Sequence, residues 1–175
     1  MIYEADTYYW DDLGVDRQKA ELAVARIVSR WAESYEARLL APSKGAVETK
    51  RSGQLPGDPA QRAAAATEVV AWIHENSLAP NLFYLMLRAP GQGTAAPQLF
   101  DHHDTGSTWY LELSKEQAAV LSQELAQDGL PADLFYPSNE TISVPYKLFG
   151  LIPFGDKMYS PKKWHAIQAA KENGA

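Results

Sequence analysis

Cysteine is absent from this chain of 175 residues, which removes thiol nucleophiles, disulfide staples and thiolate metal sites. That absence fits a reducing compartment, and the cytoplasm is the expected location. No apolar run approaches the ~18 residues a helical membrane span requires. The segment Met1-Ile2-Tyr3-Glu4-Ala5-Asp6 is acidic where a secretory leader is basic, and no apolar stretch follows it, so export by that route is not expected. Motifs of high chemical specificity are missing too. Gly91-Gln92-Gly93 lacks the third glycine and the following helix of a dinucleotide loop. There is no phosphate-loop Lys-Ser/Thr motif and no Gly-x-Ser-x-Gly elbow. No cofactor is therefore expected.

What is present is 46% hydrophobic and 11% aromatic residues with a net charge of −6. Such values suit one globular domain over residues 1–175, since a chain of this size buries about 70% of its unfolded surface and needs no staple. The charge is segmented. Residues 1–16 carry five acids and no base, and residues 89–146 carry eight acids and one base. The intervening and final segments are mildly basic. Nucleic-acid binding needs clustered cations to displace phosphate counterions. The only groupings are Lys157, Lys162 and Lys163 and the pair Lys50-Arg51, so a nucleic-acid partner is not expected.

Periodicity supplies the elements. From Asp16 the apolar positions Ala20, Val24, Ile27, Val28, Trp31, Tyr35 and Leu39 fall on one helical face, which predicts a helix running towards Pro42. Residues 42–57, rich in Pro, Gly and small polar residues, read as a long loop. Asp58-Pro59 opens a second helix with Ala66, Val69, Val70 and Ile73 on its apolar face. The apolar run Leu82–Leu87 predicts a strand covered on both faces, and Thr108–Leu113 a second strand. Ser114 and Gln117 form a capping box at the start of a helix ending near Asp128-Gly129. Asp133–Tyr136 and Ile142–Val144 read as a β-hairpin, and Ser160-Pro161 opens a last helix. Residues 1–10 fit an edge strand or an ordered arm. The order predicts an α+β fold, with two N-terminal helices packed on a small mixed or antiparallel sheet of about four to five strands. One inserted and one C-terminal helix complete it.

Two places could carry function. Asp101-His102-His103-Asp104 is the densest polar cluster: imidazole and carboxylate ligate first-row metals and exchange protons. In an enzyme, His102, His103 and Asp104 would be the catalytic set and Asp101, His102 and His103 the metal ligands. Neighbouring residues of an extended segment point oppositely, however, and the spacing matches no established zinc pattern. The second place is the overlap of aromatics and acids. Alternation puts Trp109, Leu111 and Leu113 on one face of their strand and Tyr110 with Glu112 on the other. Aromatic anchors within an acidic rim suit a basic partner, because burial supplies affinity and charge accelerates encounter. Asp101, Asp104, Tyr110 and Glu112 are the candidate partner-binding residues. The sequence favours a non-catalytic acidic binding protein that masks a basic protein, as immunity proteins and antitoxins do. The alternatives are a metal-assisted hydrolase centred on Asp101–Asp104 and a subunit of a larger assembly, with residues 42–57 as a tether.

Overall fold

A computed structural model describes residues 1–6, 10, 14–39, 49–77, 83–91, 98–102, 108–148 and 152–172. The chain divides into two compact units, residues 1–135 and 136–175. The elements of the first unit run β1 (Ile2–Asp6), α1 (Arg17–Val28), β2 (Ser34–Leu39), β3 (Thr49–Gln54), α2 (Pro59–Asn76), β4 (Phe83–Arg88), β5 (Gln98–His102), β6 (Thr108–Glu112) and α3 (Lys115–Gln127). A two-residue strand, β7 (Tyr136–Pro137), completes a seven-stranded sheet of order β3-β2-β4-β5-β6-β1-β7. The strand pairs of the first unit are antiparallel.

Local chemistry starts each helix as the sequence indicates. Asp16 accepts from the Lys19 amide at 3.0 Å and Asp58 from the Gln61 amide at 3.0 Å, with Pro59 opening α2. Such caps satisfy donors that the first turn leaves free and contribute about 1 kcal/mol each. The capping box of α3 is complete: the Gln117 amide donates to Ser114 Oγ at 3.1 Å and the Ser114 amide to Gln117 Oε1 at 2.8 Å. Gly129, at φ 72°, turns the chain out of α3 in the left-handed region where a Cβ is unfavourable.

The buried faces of these helices join one core with Ala5, Ala37, Leu85, Leu87, Phe100, Trp109 and Leu111. Trp109 is fully buried at its centre, edge-on to Trp10 (centroids 4.5 Å apart) and to Phe100 (5.4 Å), with Phe135 at 6.3 Å. A bulge between Leu87 and Arg88, where β4 meets β5, lets the consecutive residues Leu99 and Phe100 both bury their side chains. Charged pairs tie the helices together. Arg26 reaches Asp128 at 2.6 Å, and Arg30, in the turn after α1, grips both carboxylate oxygens of Glu124, linking α1 and that turn to the C-terminal half of α3.

The expected architecture is corrected in two respects. The helices at 17–28, 59–76 and 115–127 all follow the first strand, and the sheet has seven strands rather than four or five. Helix α1 stops at Val28, passes through a 3-10 turn at Ser29–Trp31, and the chain continues as β2. Tyr35 and Leu39 sit four apart, which suits a helix, but Tyr35, Ala37 and Leu39 also alternate as a strand requires. Pairing decides between the two: the Glu33 amide donates to the Arg88 carbonyl at 2.8 Å and the Leu55 amide to the Glu33 carbonyl at 2.7 Å. Within the segment read as a loop, residues 49–54 form β3. Five of its six side chains are exposed, so this edge strand has no apolar alternation to reveal it. Residues 40–48 lie outside the described residues. Residues 1–10 contribute β1, which stands beside β6 rather than forming a free arm.

The second unit holds an antiparallel hairpin, β8 (Ile142–Leu148) with β9 (Ile152–Tyr159), followed by α4 (Pro161–Glu172). The strand expected to partner 142–144 was 133–136; the partner is β9 instead. Pro145 lies opposite Asp156 inside β8, which is tolerated because each strand of a two-stranded sheet has one free edge for the missing donor. Ser160 is buried, caps α4 through the Lys163 amide at 3.2 Å, and follows Tyr159, whose ring lies 5.7 Å from that of Trp164.

Candidate functional site

The sheet of the first unit has a second face, opposite the helix-packed core, and strand register assigns its residues. One row crosses the strands as Ser52, Glu36, Met86, Asp101, Tyr110 and Glu4. A second row places Lys50, Arg38 and Tyr84 opposite one another, and a third Gln54, Ser34, Arg88 and Gln98. Glu112 pairs with Ile2 at the far end. The outer face therefore splits into an acidic-aromatic half on β1, β5 and β6 and a cation-rich half on β2, β3 and β4.

In the first half, Tyr110 is 37% and Ile2 50% exposed, two of the few large apolar residues that face solvent. Glu112 is exposed, while Glu4 and Asp101 are half-buried. By register, Tyr110 stands between Asp101 and Glu4 and Ile2 beside Glu112, so each apolar group has a carboxylate neighbour. Such a surface offers apolar area to a partner and a negative field to guide it.

In the second half, Glu36 pairs with Arg38 at 2.5 Å and Lys50 at 3.3 Å. Burial raises the proton affinity of Glu36, but the hydrogen bonds and charges of Arg38 and Lys50 outweigh it and hold its carboxyl below the ordinary value. Tyr84 carries the Arg38 guanidinium over its ring at 5.7 Å and donates its hydroxyl to Met86 Sδ at 3.4 Å. Its phenol pKa is raised, first by burial and then by Asp101 and Glu36. Met86 is buried on this face although it belongs to no part of the helix-packed core.

Of the residues singled out from sequence, Asp101 and Tyr110 are brought together as direct cross-strand neighbours, with Glu112 two residues along β6. His102 lies on β5 opposite Leu85 and Trp109, a register position on the other side from Asp101. His103 and Asp104 lie outside the described residues. Among the described residues no group of three or more His, Asp or Glu side chains is placed to hold a metal ion. Several aromatics of the acidic segments fill the core instead of the surface, Trp10 and Trp109 among them.

Sequence reasoning passed over Glu21 and its contact with His74. Glu21 on α1 is 2% exposed; its Oε1 accepts from Arg17 Nε at 3.2 Å and its Oε2 lies 2.5 Å from His74 Nε2 on α2. His74 reads from sequence as a complement to its own helix dipole, whereas its partner is this carboxylate. The signal was the position of Glu21 beside Ala20 and one turn before Val24 and Ala25, inside the apolar stripe. No family model, no curated protein and no solved structure matches the chain.

Proposed function

We propose that this protein is a non-catalytic binding protein that docks a basic protein partner, in the manner of an immunity protein or antitoxin, through the outer face of β1, β5 and β6. The observation that carries this reading is the exposed pair Tyr110 and Ile2 set among Glu4, Asp101 and Glu112. Aromatic and aliphatic anchors supply most of the affinity once water is excluded, and the carboxylates raise the encounter rate with a cationic surface. The overall charge of −6 acts in the same direction.

The test is association with the captured partner followed as a function of ionic strength. The double variant Asp101→Lys, Glu112→Lys is expected to slow association by about tenfold or more at low salt and to flatten its salt dependence. Tyr110→Ala is expected to act on dissociation instead. Unchanged kinetics in the charge-reversed variant would refute the reading.

A further inference from the structure

The cation-rich half of the same face contains an arginine without an acceptor. Arg88 is half-buried on β4, and its Nη1 is fully buried with no hydrogen-bond partner. Other arginines of the first unit are engaged: Arg17 by Glu21, Arg26 by Asp128, Arg30 by Glu124, Arg38 by Glu36 and Arg62 by the carbonyls of Pro56 and Arg30. A buried guanidinium N–H left unmet costs more than a neutral donor, so an orphan of this kind calls for an acceptor from outside.

Arg88 lines a cavity of about 290 Å³ together with Ser34, Glu36, Ser52 and Gln54. The hydroxyls and the amide are further donors. Glu36 makes no ion pair with Arg88; its Oε1 is held by Arg38 at 2.5 Å and by Lys50 at 3.3 Å. Arg38 and Lys50 stand outside the lining but pair with Glu36, so with Arg88 they leave the surroundings of the pocket positive.

We infer that this pocket binds a carboxylate, held in the fork of the Arg88 guanidinium. Three features select that chemistry. The planar fork of arginine matches the two oxygens of a carboxylate. The cavity lies at the small end of ligand sites, which begin near ~300 Å³, and suits a small acid or a chain end. Glu36 at its wall disfavours a doubly charged phosphate, whereas a single negative charge is balanced by the surplus cations. The carboxylate comes either from a free small acid or from the C-terminus of a peptide chain.

The experiment follows the side-chain Nε–Hε resonance of Arg88 in the wild type, and the backbone amide resonances of the lining residues Ser52 and Gln54 in the wild type and every variant, during titration with propionate and, separately, with N-acetyl-trialanine. Propionamide and the amidated peptide serve as uncharged controls, and sodium chloride matches ionic strength. The expected result is a saturable shift with a dissociation constant on the order of a millimolar. The shift is expected to be absent with both controls and about tenfold weaker in affinity in Arg88→Lys, which keeps the charge and loses the fork. Saturation by both probes identifies a site open to free acids; saturation by the peptide alone identifies a chain-terminal carboxylate. Arg88→Met is expected to abolish binding and leave thermal stability equal or higher, since it removes an unpaired buried charge. If Arg88→Met fails to fold, Arg88→Lys and the wild-type resonance still decide. The inference is overturned if neither probe saturates, if sodium chloride reproduces the shift, or if Arg88→Lys binds as tightly as the wild type.

Discussion

The two faces of the seven-stranded sheet follow different rules. The inner face carries the apolar residues Ala37 on β2, Leu85 and Leu87, Phe100, Trp109, Leu111 and Ala5 on β1, with His102 the polar register position among them, and the buried faces of α1, α2 and α3 join it in one core. The outer face mixes Lys50, Glu36, Arg38, Tyr84, Arg88, Asp101, Tyr110 and Glu4 in rows that bring opposite charges together at one end and like charges at the other. Hydrophobic burial is non-directional and tolerates exchange among apolar residues of similar size. The polar rows depend instead on register, because a slip of one residue would send every side chain to the other face. Stability therefore resides mainly inside, and the proposed recognition outside.

The contrast predicts a steep gradient of mutational cost. Trp109→Ala removes the ring about which Trp10, Phe100 and Phe135 are arranged, and is expected to cost about 3–5 kcal/mol in denaturant unfolding. A loss below about 1 kcal/mol would mean that the aromatic cluster is not the centre of the core. Next comes Glu21→Ala, which strips Arg17 and His74 of their shared carboxylate in the α1–α2 interface. Both partners are about a quarter exposed (27% and 25%) and can recover water, so the expected cost is smaller, about 1–3 kcal/mol. Equal stability of Glu21→Ala and wild type would show that polar groups within the helical layer behave like those outside.

The same division explains what the chain discloses before folding. Buried residues write their environment into the sequence, as in the run Leu82–Leu87 that anticipates β4 and the alternation of Trp109, Leu111 and Leu113, and caps such as Asp58-Pro59 and Ser114-Gln117 mark helix starts through chemistry local to a few residues. Strands β2 and β3 were illegible for opposite reasons. Tyr35 and Leu39 satisfy two periodicities at once, so only the hydrogen bonds to distant Arg88 and Leu55 select the strand. Edge strand β3 has almost no buried side chain and so no period at all. Of the candidate site, alternation alone paired Tyr110 with Glu112. Their junction with Asp101, Glu4 and Ile2 needed strand order, and the orphaned Arg88 needed the positions of every other carboxylate.

A pH titration probes the cationic half of the outer face. Because Glu36 has its carboxyl pKa lowered in the folded state, its contribution to stability is complete above its ordinary value of 4.5 and is lost as pH falls through the lower folded value. Glu36→Gln is expected to be less stable than wild type at neutral pH and to converge with it in acid. Parallel curves at all pH values would show that Arg38 and Lys50 do not hold the carboxylate in solution. The variant should also deepen the positive field at Arg88 and tighten carboxylate binding there.

The smallest expected change in stability belongs to Glu112→Lys, at the exposed end of β6 beside Ile2. Glu112 is exposed and outside the core, so reversal is expected to shift unfolding by less than about 0.5 kcal/mol. Association with a basic partner should nonetheless slow and lose part of its salt dependence, because the rim charge acts on encounter and not on folding. Measuring both quantities on one variant separates the two faces most sharply. A destabilisation above about 1.5 kcal/mol with unaltered association kinetics would make this end of the sheet a structural surface and remove the reason for placing a partner on it.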